Sequence, residues 1–363
     1  MVQFRLRCRN SITHSQPINF LLFSPDGSSL LSAGDDGYIK IWSTSNLQLI
    51  QSIRTSQGAV VILRWVPRNQ VAHRSYFLSA GSDATIKLWR ETNAGYVEDS
   101  ALTVPDFESA IEDMAIFGST VALTCNNKFA LLTVGENPPL LHDVTISRSQ
   151  RGHLRSLIFL EAGTQLLIGF LDSRELELWS LTTTPPSQIW SHRINSRRIG
   201  NMTWSEPTSR LLIWNLEDGV DIYRLQNPQR LPVYVASFRV RMDTMSVPVQ
   251  MCCSSRHSLA LCGSNLGALH LWDITSNTHR QTIIHESGKR YVQTVAVWEG
   301  RVQAGGGNSP CILASASSDP GRNTQSICVW APSRFPIVNL GWVVLMFTDQ
   351  FSDHGFALVN MIG

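Results

Sequence analysis

The chain has 363 residues, is 43% hydrophobic, and sets 30 basic against 28 acidic residues for a formal net charge of +2. This length exceeds the usual ~100–200 residues of one domain but suits a single radially repeated all-β unit, and the apolar fraction suffices for a sizeable core. The near-neutral balance excludes the long-range positive field expected of a dedicated nucleic-acid binder.

The N-terminal residues MVQFRLRCRN alternate in polarity and contain no apolar stretch of signal-peptide length. Val2, Phe4, Leu6 and Cys8 face one way and Gln3, Arg5 and Arg7 the other, which predicts a strand over Val2–Cys8. Next comes a repeat. LLSAGDDGYIKIW ends at Trp42 and FLSAGSDATIKLW ends at Trp89; each runs strand, tight polar turn, strand, tryptophan. Weaker copies end at Val134, Trp179, Tyr223, Trp272 and Trp330. The last interval is long because the final copy carries insertions. A β-rich segment precedes each copy, in order INFLLFSP, VVILRWVP, EDMAIFG, LRSLIFLE, IGNMTWSE, PVQMCCSS and VQTVAVWE. A further strand follows each of the first six. Four short strands per period, with turn residues between them, define a propeller blade. The seventh unit lacks its fourth strand, and Val2–Cys8 is the spare that would pair with the strand ending at Trp330 and close the ring.

The sequence resembles the WD-repeat family over roughly residues 2–330. The likeness is closest in blades one and two, looser in four, six and seven, and degenerate in three and five. Only the sixth repeat carries the Trp-Asp dipeptide, Trp272-Asp273. The expected fold is a seven-bladed all-β propeller of four-stranded antiparallel blades, with residues 331–363 as an apolar tail outside it. The resemblance also implies that His14, Ser32, Asp36 and Trp42 form a buried hydrogen-bonded chain that ties the inner strands of blade one to its turn. Taken alone, a Ser, a His and an Asp suggest nucleophilic catalysis. However, partial copies recur: Ser79, Asp83 and Trp89 in blade two with Ser56 at the histidine position, Gly152-His153 and Trp179 with Asp172 in blade four, and His285, Ser315, Asp319 and Trp330 in blade seven. A catalytic set should occur once, so the expected role is structural, with Asp36 and Asp83 buried.

Other motifs are missing. There is no P-loop, HExxH, GxSxG or EF-hand loop, and the ten histidines show no metal-ligand spacing. Gly305-Gly306-Gly307 lies in a polar insertion with no helix following it to hold a phosphate. The Asn201-Met202-Thr203 sequon opens a strand and reads as chance. The seven cysteines are odd in number, irregularly spaced and without a CxxC pair, which points to a reducing compartment, cytosol or nucleus. No cofactor, metal or catalytic residue is expected.

In the WD-repeat family the loops entering each blade and the turns between its middle strands share one face, and that face and the central channel are the usual docking sites. On it Arg174, Arg197, Arg198, Lys289, Arg290 and Arg322 form a basic arc, interrupted by Glu217, Asp218 and Glu286. Asp35, Asp36, Asp83, Asp106 and Glu108 make blades one to three more acidic. An acidic or phosphorylated peptide suits the arc; an ordinary mixed surface is the alternative. The tail core FPIVNLGWVVLMF (335–347) is too short for the ~20 residues of a spanning helix. It reads first as a segment packed on the propeller, otherwise as a partner- or membrane-surface segment or the end of a truncated chain. The functional expectation is a non-catalytic scaffold for protein or peptide partners, acting as a monomer or a subunit of a larger complex. The alternatives are a subunit of an RNA-processing or chromatin assembly and, third, an enzyme.

Overall fold

The computed structural model describes residues 3–11, 13–67, 75–135, 141–148, 152–227, 230–240, 249–254, 256–285, 291–300, 311–318 and 325–333. Val2, Glu286, Lys289, Arg290, Asp319, Arg322, the Gly305–Gly307 run and residues 334–363 lie outside them.

Alternating apolar residues and tight polar turns give seven sheets of four antiparallel strands each. Blade one consists of Ile18–Phe23, Ser29–Gly34, Tyr38–Ser43 and Leu49–Arg54, paired in that order from the axis outward. The inner strands of the next six blades are Val60–Trp65, Asp113–Phe117, Leu154–Leu160, Asn201–Ser205, Met251–Ser254 and Val292–Glu299. The degenerate third and fifth repeats are complete blades. The turn of blade one shows why its sequence is Asp-Asp-Gly. Gly37 has φ +74°, and a Cβ there would meet the Gly58 carbonyl of the next loop at 2.9 Å.

The core is a ring of interfaces between blades. Trp42 and Leu30 of blade one pack with Ala314 and Val329 of blade seven. Blades one to three share a cluster around Phe77 and Ile86, and Phe238 of blade five stacks on Trp272 of blade six with ring centroids 5.0 Å apart. Each blade therefore buries an apolar face only when its neighbours are present, so a missing closure would expose two faces.

The N-terminal strand closes the ring. It runs over Phe4–Asn10 and pairs antiparallel with Ile327–Pro332, setting Leu6 opposite Trp330. The predicted bounds of Val2–Cys8 were early, and the strict alternation fails. A bulge between Leu6 and Cys8 leaves Phe4 buried but Leu6 51% exposed. The closing joint repeats one used inside the ring. The Gln281 amide of blade six donates to the Phe4 carbonyl and accepts from its N–H, both at 2.9 Å. Gln51 of blade one grips Tyr96 of blade two in the same way at 2.8 Å. Further on, Thr13 N–H donates to the Gln325 carbonyl and Gln325 N–H to that of His14.

Candidate functional site

In blade one the Trp42 indole N–H donates to Ser32 Oγ at 2.8 Å, and Ser32 Oγ lies 2.7 Å from His14 Nε2. His14 Nδ1 is 2.9 and 3.0 Å from the two Asp36 oxygens, which also accept from the Ser15 and Tyr38 N–H groups. Burial pushes the His14 imidazole below its ordinary value, against the pull of Asp36. Burial opposes the Asp36 charge as well, but hydrogen bonds from His14, Tyr38 and Ser15 outweigh it and hold the carboxyl low. A neutral His14 beside an ionised Asp36 completes the proton order. Nδ1–H donates to Asp36, Nε2 accepts from Ser32, and Ser32 accepts from Trp42. This is the connectivity of a nucleophilic triad. Ser32, however, has no exposed surface, and its oxygen already accepts the indole proton.

The same tryptophan-to-serine bond recurs with different continuations. In blade two Trp89 donates to Ser79 at 2.8 Å, and Ser79 donates to the Gln57 carbonyl oxygen at 2.6 Å. The Gln57 amide donates to Thr85, whose hydroxyl donates to Asp83 at 2.6 Å. The residue at the histidine position is thus Gln57, not Ser56, which is exposed, and Asp83 is exposed rather than buried. In blade seven Trp330 donates to Ser315 at 2.8 Å, and Ser315 Oγ lies 2.7 Å from Nδ1 of His285. His285 Nε2 is 2.9 Å from Ser326 Oγ, so its ring is turned relative to that of His14.

Blade four departs from the expected pattern. The Trp179 N–H donates to the buried carboxylate of Glu177 at 3.0 Å. His153 Nε2 instead lies 3.1 Å from Glu112 of blade three, and Asp172 pairs at the surface with Arg198. Blade five builds its own set around buried Asp221, which accepts from Ser196 and Ser237, each at 2.6 Å, with the Tyr223 hydroxyl 3.2 Å from Ser196.

The basic arc is partly neutralised. Arg197 pairs with Glu217, Arg198 pairs with Asp172 at 2.7 Å, and the nearby Arg239 pairs with Asp218. Glu217 and Asp218, read as interruptions, are partners. Arg174 is exposed on the same face. Lys289, Arg290 and Arg322 fall outside the described residues.

The axial channel was expected only as a usual docking site of the family, and none of its lining residues was singled out from sequence. It encloses about 870 Å³ between the inner strands. Arg155 pairs in its wall with Glu112, Arg64 lies 3.6 Å from Asp113, and the Arg64 guanidinium sits 4.8 Å from the Phe20 ring centre. Asp113 also accepts from the Ser156 hydroxyl and the Leu157 N–H, joining blades three and four. Charged residues inside otherwise apolar inner strands, such as the arginine in VVILRW, were the available signal.

All seven cysteines are free. Burial pushes the Cys311 thiol up to about 12 and the Cys262 thiol further still, so neither supplies a thiolate at neutral pH. Among the described residues no cluster of three or more His, Cys, Asp or Glu could hold a metal ion, and no helix is long and apolar enough to cross a membrane.

The family model of the WD domain, G-beta repeat, matches residues 6–43. The match starts in the strand that closes blade seven and ends at the last residue of Tyr38–Ser43, so the sequence repeat straddles two blades. Residues 6–43 thus carry a WD40 repeat, and the seven four-stranded blades are those of a WD40-type propeller, a kind that commonly serves as a protein-interaction scaffold and is usually non-catalytic. No curated protein matches the chain.

Proposed function

We propose that the propeller is a non-catalytic scaffold that presents the loops of one face to protein or peptide partners. One observation carries this reading. The Ser32–His14–Asp36 chain has the order of a nucleophilic triad, yet its hydroxyl is sealed beneath Trp42. Equivalent tryptophan–serine bonds in blades two and seven support a structural role for His14, Ser32, Asp36, Trp42, Ser79 and Trp89. What the ring then offers to solvent is loops held by rigid blades. Free thiols agree with a reducing compartment, cytosol or nucleus.

The face bearing Arg174, Arg197 and Arg198 is the first place to test. Reversing Arg197 and Arg198 to Glu breaks two exposed ion pairs, typically worth ~0–1 kcal/mol each, and spares the fold. The double variant should melt like the wild type but retain fewer partners in a pull-down. Identical partner lists would remove this face from the reading. Salt-titrated binding of generic RNA and DNA separates the scaffold from a nucleic-acid subunit, because phosphate contacts weaken steeply with salt.

A further inference from the structure

The third and fourth strands of blade six, Ala268–Asp273 and Thr278–Ile284, bring two histidines together. His270 stands opposite Thr282 and Trp272 opposite His279, with Arg280 as the extra residue of a bulge. In a regular strand His279 and Thr282 would point to opposite faces; the extra residue turns both to the face of His270. The Thr282 hydroxyl oxygen lies 2.9 Å from His279 Nε2 and 3.3 Å from His270 Nδ1, and the two imidazole centres are 6.4 Å apart. His270 stacks on Trp272 at 5.7 Å, and Trp272 stacks in turn on Phe238 of blade five, so the His270 ring is held. His279 and Thr282 are exposed, and solvent reaches the pair. Arg280 is engaged by Asp273.

The same positions are closed differently in other blades. In blade two they bring Lys87 and Glu98 into an ion pair of 2.8 Å. In blade five Ser237 donates to Asp221 at 2.6 Å and accepts from the Tyr234 hydroxyl at 2.8 Å, so each proton has an acceptor. Blade six instead aims two imidazole nitrogens at one hydroxyl. Thr282 has a single proton, so it can donate to only one of them, and the other must turn an N–H toward its oxygen. Burial and the neighbouring His279 push His270 down to about 4, which leaves its ring uncharged at neutral pH. Imidazole nitrogens converging on one point are the donors that zinc, copper and nickel ions prefer.

We propose that His270 Nδ1 and His279 Nε2 bind a divalent transition-metal ion of the zinc type at the outer edge of blade six, with Thr282 Oγ1 and water in its remaining positions. The ion takes a lone pair from each imidazole, and the hydroxyl no longer has to reconcile two ring nitrogens. Zinc–nitrogen bonds of about 2.0–2.1 Å require the exposed His279 ring to swing inward while the stacked His270 ring stays in place. In sequence the two histidines are not at metal-ligand spacing; the bulged hairpin unites them.

The test titrates zinc chloride into the full chain at neutral pH and follows binding by calorimetry. Saturable binding of a single ion per chain is expected. Cobalt(II) at the same site should give the spectrum of nitrogen and oxygen ligands, without the charge-transfer band of a thiolate. His279→Gln removes the exposed ligand and should abolish the binding. The double variant His270→Lys/His279→Glu installs the ion pair that blade two already carries at these positions, so it keeps the packing. It should melt like the wild type without zinc and bind none. His192→Gln in blade four should bind as the wild type does. Absence of saturable binding to the wild type, a thiolate band with cobalt(II), or zinc binding retained in either variant of the pair would overturn the proposal. So would equal loss of binding in His192→Gln.

Discussion

Replacing Ser32 with alanine tests the buried chain at its centre. The Ser32 oxygen accepts from the Trp42 indole and donates to His14 Nε2, and it has no exposed surface from which water could replace it. Alanine leaves one donor and one acceptor unsatisfied, each costing about 1–3 kcal/mol, so the expected loss is about 2–6 kcal/mol. An unfolding entropy of about 2.1 cal/mol/K per residue over some 330 residues gives about 0.7 kcal/mol/K, hence a melting temperature lowered by roughly 3–9 °C. Ser79→Ala and Ser315→Ala remove the same tryptophan bond in blades two and seven and should cost comparable amounts. The assay is urea unfolding followed by tryptophan fluorescence, with a Ser32→Ala/Trp42→Phe double-mutant cycle to isolate the shared bond. A loss below about 0.5 kcal/mol for Ser32→Ala, or additive single mutants in the cycle, would refute the argument. Loss of any enzymatic activity in Ser32→Ala alone, at unchanged stability, would point back to catalysis.

Two further outcomes follow from burial. Burial, reinforced by nearby His279, pushes His270 down to about 4, and burial also lowers His14. Both contribute stability that is fully present above the unfolded value near 6.5 and is lost as pH falls toward the folded values. His270 alone should cost roughly 2 kcal/mol by pH 5. Urea midpoints at pH 7.5 and 5 should converge in His270→Gln, and an unchanged gap would reject this source. At the ring closure, Phe4 is buried at 5% exposure while Leu6 is 51% exposed. Phe4→Ala should therefore cost about 3–5 kcal/mol and Leu6→Ser less than about 0.5, as measured by thermal melting. Equal effects would mean that the strand does not seat as described.

The blades were legible because two repeats preserve both period and turn chemistry, and the remaining five need only apolar strands at the same interval. What sequence could not supply was the identity of partners that share a chemistry but not a residue type. At the histidine position of blade two a glutamine amide does the work of the imidazole. It sits beside Ser56, which has φ +56° and is exposed. A search for histidine substitutes by position stops one residue short. The Asp172 error has the same origin. Its spacing fits a capped turn, but Arg198 offers it a charged hydrogen bond at the surface. The N-terminal strand was legible in existence and pairing, while its inward set was misread because a bulge shifts register without leaving a mark in an alternating pattern.

The differences between the blades show how the ring tolerates change. The invariant element in blades one, two and seven is the bond from tryptophan to serine, each 2.8 Å long. Beyond the serine the chain ends in His–Asp, in Gln–Thr–Asp or in His–Ser. The constraint is satisfaction of the indole N–H and the serine hydroxyl in a water-free core, and any group that accepts from serine and is itself held will meet it. Blade four meets the indole requirement with a buried glutamate instead, and blade five replaces the indole by a tyrosine hydroxyl beside Ser196. Interchangeable solutions of this kind fit a structural role for the buried chain. They are what a set of blades needs when each must only be rigid enough to hold its loops against its neighbours.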